Sequence, residues 1–263
     1  MLLVYTHKIS PRLKYVFKHI CTRVLGIKVG FTTKIEEFIA HDSLRMSYTK
    51  QQLGNEFFIK SHDILFEQGL NDIEIHIHDW GRTKCFFYNG EKSAMPFDVF
   101  SASFYLLSRY EEYLPHVKDK HGRFTVEQSL AFKKGFLEKP VVDIWAFKFL
   151  KVLKQKFPEY KYTRRSYNYI STVDIDNAFA YKHKSFVRNV GGYLNDIFKF
   201  RILNVINRLA VNLNLKNDPY NTFNTILRLQ NTYNVKTIFF FLVGDYTTFD
   251  TNVSVSKSKY RLL

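Results

Sequence analysis

The sequence predicts a mixed α/β protein built in two segments, and three observations carry that prediction. Residues 1–163 switch between apolar spacing of three and four, which marks a helix face, and spacing of two, which marks a half-buried strand. The stretch PEYKYTRRS, Pro158 to Ser166, is polar, charged and without period, and it separates this segment from residues 164–263. In the second segment a pair of strand-like runs brackets a long helical region, the order that opens an α/β barrel or a doubly wound sheet.

The first segment begins with a strand, Leu2 to Thr6, and a helix started by Ser10 as cap and Pro11 in the first turn. Leu13, Val16, Phe17, Ile20, Cys21, Val24 and Leu25 recur at three and four spacing and predict one buried face. The period then changes to two. Leu44, Met46 and Tyr48 alternate with polar residues, Glu56–Lys60 is a second extended run, and Ile73, Ile75 and Ile77 alternate with Glu74, His76 and His78. A turn at Asn89-Gly90 comes after the strand Cys85–Tyr88. Helices are expected from Pro96 to a stop at Pro115, and from about Val141 to Phe157, where Pro158 ends the pattern.

In the second segment the strand Tyr167–Val173 runs into Asp174-Ile175-Asp176, and then into a mostly helical region from about Ser185 to Asn214. Asp218-Pro219 opens a further helix to about Tyr233. VKTIFFFLVGD then reads as a central strand buried on both faces. Two strands cannot close a parallel sheet, so this domain reads as cut short at Leu263.

Composition removes several function classes. At 263 residues, 46% apolar and 24% charged, the chain fits a globular protein with a full core and excludes wholesale disorder, collagen-like and coiled-coil classes. Its longest strongly apolar run, Ile238–Val243, falls far short of the roughly twenty residues of a membrane span, so no stable membrane insertion is expected. The start MLLVYTHK makes no secretory signal, which leaves a cytoplasmic protein as the expectation. Cys21 and Cys85 are too few and too distant for a metal knuckle or a disulfide framework. The net charge of +15 invites a polyanion, but the excess is spread over both segments with no run of five or six like charges, so nucleic acid is not the expected partner.

The sharpest chemical signal is Ser171-Thr172-Val173-Asp174-Ile175-Asp176-Asn177. Ligands of parallel α/β folds bind at the carboxyl ends of strands, and two carboxylates two residues apart there project to one side. Their mutual repulsion is relieved by a cation, which points to a metal; a single Asp capping the next helix would account for the pair as well. His183 comes shortly after and Asp245 directly ends the second strand, so both are candidates for the same rim. His76 and His78, with Asp79 close by, read instead as the solvated side of an amphipathic strand. The basic stretch GGYLNDIFKFRILNVINRLAVNLNL is amphipathic in places and could lie on an anionic membrane; packing on its own domain is the commoner use of such a stripe.

STVDIDNA, with VKTIFFFLVGD about sixty residues later, resembles the first two strands of the polysaccharide deacetylase family, whose first motif reads T-F-D-D-G. The upstream blocks PFDVFSASFYLLSRYEEYL, HGRF, FLEKP and VVDIW resemble the amino-terminal domain of unknown function that precedes such deacetylases in bacterial proteins. The resemblance implies the first strands and helices of a distorted (β/α) barrel, and removal of N-acetyl groups from a bacterial polysaccharide or glycan precursor. It also implies a divalent metal, zinc in most of the family. By the family's pattern Asp174 is the general base and Asp176 the metal ligand, displaced by one position because Ile175 stands where the second Asp falls; His183 and Asp245 are left as substrate-binding positions. The family's H-x-x-x-H pair after the second strand has no counterpart here, since the last His is His183, so tight zinc binding and activity are not expected of this chain alone. Two other readings stay open. A nucleotide-sugar glycosyltransferase would use D-x-D with manganese, and a non-catalytic carbohydrate or nucleic-acid module would use the 17% aromatic residues and the positive charge.

Overall fold

Apolar spacing and capping act first in residues 1–166, one of two compact units into which the chain divides; the other is 167–263. The computed structural model describes residues 1–162, 166–182, 184 and 186–242. Strand β1 (Leu2–Tyr5) leads to α1 (Pro11–Phe17). Ser10 caps that helix by accepting the Leu13 N–H at 3.0 Å, and its hydroxyl donates to the Leu65 carbonyl. The helix continues from Lys18 to Val24 in the wider π winding, and the seven apolar residues predicted to share its inner face are all buried. Strand β2 (Val29–Thr32), α2 (Ile35–Ile39), β3 (Arg45–Thr49) and β4 (Phe58–Lys60) come next. All neighbours pair in parallel, in the order β2-β1-β3-β4.

A small antiparallel pair, β5 (His78–Trp80) with β6 (Thr83–Cys85), lies apart from that sheet. Helices α3 (Val99–Leu107), α4 (Leu130–Lys133) and α5 (Val141–Lys156) complete the unit. Phe17 of α1 stacks on Phe100 of α3 at 3.6 Å between centroids, and the buried Trp145 of α5 donates its indole N–H to the Lys84 carbonyl at 2.9 Å.

Asp98 joins these layers. It caps α3, Oδ1 accepting the N–H groups of Phe100 (3.1 Å) and Ser101 (3.0 Å), while Oδ2 accepts the Tyr48 hydroxyl (2.6 Å) and the His62 N–H (2.7 Å). The carboxylate has no exposed surface, so each bond is made where water cannot substitute.

Several expected elements differ. The alternation Ile73–Ile77 is extended, with the isoleucines against the core and Glu74 and His76 outside, yet it joins no ladder; only His78 enters β5. The strand expected over Cys85–Tyr88 is β6, ending at Cys85, with Tyr88 making a single bridge to Phe97 across the Asn89-Gly90 turn. The helix expected from Pro96 begins after the Asp98 cap and breaks at Arg109, whose φ of +53° is left-handed, so Tyr110–Tyr113 forms a separate 3-10 turn.

In the second unit β7 (Ile170–Ile175) and β8 (Lys236–Phe241) pair in parallel, from Ile170 opposite Lys236 to Ile175 opposite Phe241. Between them run α6 (Phe186–Phe198), α7 (Ile202–Asn212) and α8 (Phe223–Tyr233). Phe223 of α8 packs on Phe239 and Phe241, and with Val173 these surround Ile175, Ala178 and Phe179. The other face of the pair, with Ile170, Ile238 and Phe240, is exposed. Among the described residues β8 is therefore not the doubly buried strand its composition predicts, because β7 is its one partner and α8 covers one side. Asp174 lies inside β7 rather than beyond its end. The helix expected to open at Asp218-Pro219 starts five residues later, since Asp218 is engaged elsewhere.

Candidate functional site

Alternation along β7 places Ile170, Thr172 and Asp174 on the face away from α8, with Asp174 opposite Phe240 of β8. Asp176 lies just past the strand. Both carboxylates are exposed, and among the described residues neither accepts a hydrogen bond or forms an ion pair. Side chains two residues apart on a strand are about 6–7 Å apart, and in water two such charges repel by less than about 1 kcal/mol. The repulsion that would call for a cation is therefore small. Among the described residues no three His, Cys, Asp or Glu side chains converge as a metal site. Two solvated carboxylates do not fit a resident zinc, which takes three or four ligands and favours nitrogen or sulfur. His183 and Asp245 lie outside the described residues. His76 and His78 are exposed, His76 Nε2 standing 3.5 Å from Glu74; of the two only His78 lies in a strand.

The loop after the acid pair is held by a residue that carries no chemical motif in the sequence. Asp218 is buried and accepts four backbone N–H groups: Ala180 (2.8 Å) and Tyr220 (3.0 Å) on Oδ1, Tyr181 (2.8 Å) and Lys182 (2.9 Å) on Oδ2. Burial alone would raise its pKa; the four N–H dipoles, Lys182's foremost, outweigh it and hold the carboxyl below the usual range. The bond to Tyr220, two residues on, is the local Asx turn that an Asp before a turn announces. The other three span 36 to 38 residues and leave no local signal.

Beside this loop lies a cavity of about 480 Å³ lined by Asn177, Tyr181, Gly192, Arg208, Pro219 and Tyr220. Asn177 adjoins Asp176, but the two carboxylates do not line it. Arg208 of α7 is buried; Nη2 donates to Asp196 of α6 at 2.9 Å, and the guanidinium lies over the rings of Tyr181 (4.8 Å) and Tyr193 (5.4 Å). Its Nε is buried and has no hydrogen-bond partner among the described residues. A Cβ on Gly192 would sit 2.4 Å from Arg208 Nη1 and 2.6 Å from Cζ, whereas one on Gly191 would meet nothing within 4 Å. The two helical glycines should thus respond oppositely. Gly191→Ala is expected to stabilise the unit by up to about 1 kcal/mol through helix propensity. Gly192→Ala is expected to cost about 1–3 kcal/mol by displacing a buried, paired guanidinium. Urea denaturation of both variants checks the contrast, and equal shifts would contradict it.

The first unit offers a basic hollow of about 640 Å³ near the carboxyl ends of β3 and β4, bordered by Lys50, Lys60, Lys92, Asn89 and Glu91. Lys50 is paired with Asp63 at 2.6 Å, and nearby His62 stacks on Phe87 at 4.1 Å, with burial lowering its pKa.

The parallel four-stranded unit and the β–α–β unit after it define a mixed α/β protein of two units with an acidic strand end. Residues 2–158, more than half of the chain, match a family of unknown function, DUF7033, and the chain belongs to that family. No curated protein and no solved structure matches it. Among the described residues no helix is long and apolar enough to cross a membrane.

Proposed function

We propose that residues 167–263 contribute the opening strands of a distorted (β/α) barrel in a deacetylase that hydrolyses N-acetyl groups of a bacterial glycan or glycan precursor. The supporting observation is the placement of Asp174. It stands near the carboxyl end of β7 on the face α8 leaves bare, beside the exposed apolar Ile170, Ile238 and Phe240. In a β/α barrel that face turns inward, and reactive groups gather at the carboxyl ends of its strands. In this reading Asp174 accepts the proton of the water that attacks the acetyl carbonyl, Asp176 would be one ligand of a divalent metal, zinc by the family resemblance, whose other ligands are not among the described residues, and His183 and Asp245 border the sugar. Because the described residues do not complete a zinc site, no step is assigned to the metal. The reading places the protein in the cytoplasm, where its free cysteines Cys21 and Cys85 stay reduced.

The test is binding, since turnover needs ligands beyond two carboxylates. Adding N-acetylglucosamine oligomers to the full chain should shift the NMR signals of Ile175–Asn177, and Asp174→Asn should weaken that binding at least about fivefold, the effect of losing one charge-assisted hydrogen bond. Uridine diphosphate with Mn²⁺ should leave these signals unmoved. Response to the nucleotide but not to the sugar would overturn the reading in favour of a glycosyltransferase.

A further inference from the structure

The helical hairpin α6–α7 is more than the β7–β8 pair requires. A parallel pair needs one crossover helix, and α8 fills that place through Phe223. Helices α6 and α7 pack on each other ahead of it, joined by the Asp196–Arg208 pair and by the Asn212 amide donating to the Tyr193 hydroxyl at 3.1 Å.

Their outer sides are apolar in helical register. On α6, Val190, Leu194, Ile197 and Phe198 are exposed; on α7, Ile202, Leu203, Ile206 and Leu209 continue the stripe. The tip between them reads Phe198-Lys199-Phe200-Arg201-Ile202-Leu203, with Phe198 80%, Phe200 90%, Ile202 67% and Leu203 76% exposed. Phe200 turns the chain at φ +52°, a conformation that Gly or Asn adopts at lower cost, yet a large ring is displayed there.

The charge around the stripe has one sign. Residues 189–217 contain a single acidic side chain, Asp196, and it is closed against Arg208. Lys199, Arg201 and Lys216 are exposed. Protein interfaces deplete Lys from their cores, and a water-facing turn has no use for two bare phenyl rings. An anionic bilayer surface takes both: rings and aliphatics sink to the acyl boundary while the cations reach up to the phosphates.

We propose that the tip of the α6–α7 hairpin docks this protein reversibly on an anionic lipid surface, with Phe198, Phe200, Ile202 and Leu203 entering the interface and Lys199 and Arg201 gripping the headgroups. The hairpin lies in the interface and does not span it, as the lengths of its helices require. Each cation near the surface strengthens such binding about fivefold.

The test is co-sedimentation of the full chain with vesicles of phosphatidylcholine and phosphatidylglycerol, against phosphatidylcholine alone. Binding to the anionic vesicles should exceed binding to the neutral ones by at least about tenfold and fall steeply with salt. The double variant Phe198→Ser, Phe200→Asn, made at exposed positions with an Asn that tolerates the left-handed turn, should lose at least about tenfold while keeping its circular dichroism spectrum. Phe200→Trp supplies a reporter once the emission of Trp80 and Trp145 in the wild type is subtracted, the difference shifting to the blue on anionic vesicles. Undiminished binding of the double variant, or wild-type protein that stays in the supernatant, would overturn the proposal. So would light scattering that shows a dimer lost in the double variant, which would assign the tip to a second copy. A Phe200→Trp difference spectrum already blue without lipid would assign the covering surface to the chain itself.

Discussion

Asp98→Ala is expected to remove about 3–5 kcal/mol from the first unit, a large share of the whole stability of a domain of this size. The substitution strips the acceptor from four donors at once: the Tyr48 hydroxyl and the N–H groups of His62, Phe100 and Ser101, at 2.6 to 3.1 Å. These come from β3, from the segment after β4 and from the start of α3, so the loss uncouples sheet from helix and also removes a cap. Urea denaturation monitored by circular dichroism measures it. Tyr48→Phe deletes one of the four donors and should cost only about 1 kcal/mol, and Asp98→Asn, which keeps one oxygen for the α3 cap, should fall between. A loss for Asp98→Ala no greater than that for Tyr48→Phe would show that the carboxylate does not tie the layers together.

Asp218→Ala is expected to cost the second unit about 2–4 kcal/mol and to loosen residues 176–182, because the three consecutive N–H groups of Ala180, Tyr181 and Lys182 lose their acceptor. Hydrogen exchange at those amides reads the effect directly. The same group sets a pH dependence. Its pKa in the folded chain lies below its unfolded value, so its contribution is full above the ordinary carboxylate range and is lost as pH falls through that range toward the lowered folded pKa. Asp98 has the opposite sign. Complete burial raises its pKa against the bonds from Tyr48, Ser101 and His62, so its protonation favours the folded state, and this contribution fades as pH rises above the ordinary carboxylate range. Each carboxylate accepts four donors; depth of burial decides between them. Acid titration should therefore lower the protection factors of Ala180–Lys182, taken against intrinsic exchange at each pH, in the wild type but leave them unchanged in Asp218→Ala, and an identical pH response in both would refute the assignment.

How far the sequence foretold these features depends on the range of the interactions behind them. Ser10, Pro11 and the face from Leu13 to Leu25 were legible because a helix start and its apolar stripe are written within a few residues of each other. Strand β2 was not, because Val-Gly-Phe-Thr is too short to show a period and its partner β1 lies 27 residues upstream. Ile73, Ile75 and Ile77 announced their burial correctly but not their pairing: alternation records which side faces the core, and a ladder needs a neighbour the pattern does not name. The break at Arg109 carries no Gly or Pro to mark it. At the candidate site, the spacing of Asp174 and Asp176 was plain, whereas their solvation was not, and solvation sets how strongly they repel. Arg208 left no mark in the local pattern, and Asp218 only that of its turn to Tyr220, because their other acid and amide partners are 12 and 36 to 38 residues away.

The strand order of the first unit also governs how the protein is made. Translation delivers β1 before either of its neighbours, although it lies inside the sheet with β2 on one flank and β3 on the other. No hairpin can close on it as it leaves the ribosome, because each mate must first arrive behind an intervening helix. A nascent chain that has extruded only through Leu25 therefore holds a bare, fully apolar Leu2–Tyr5 segment against its first helix. The interval until Val29–Thr32 emerges is the moment at which a chaperone has most to shield.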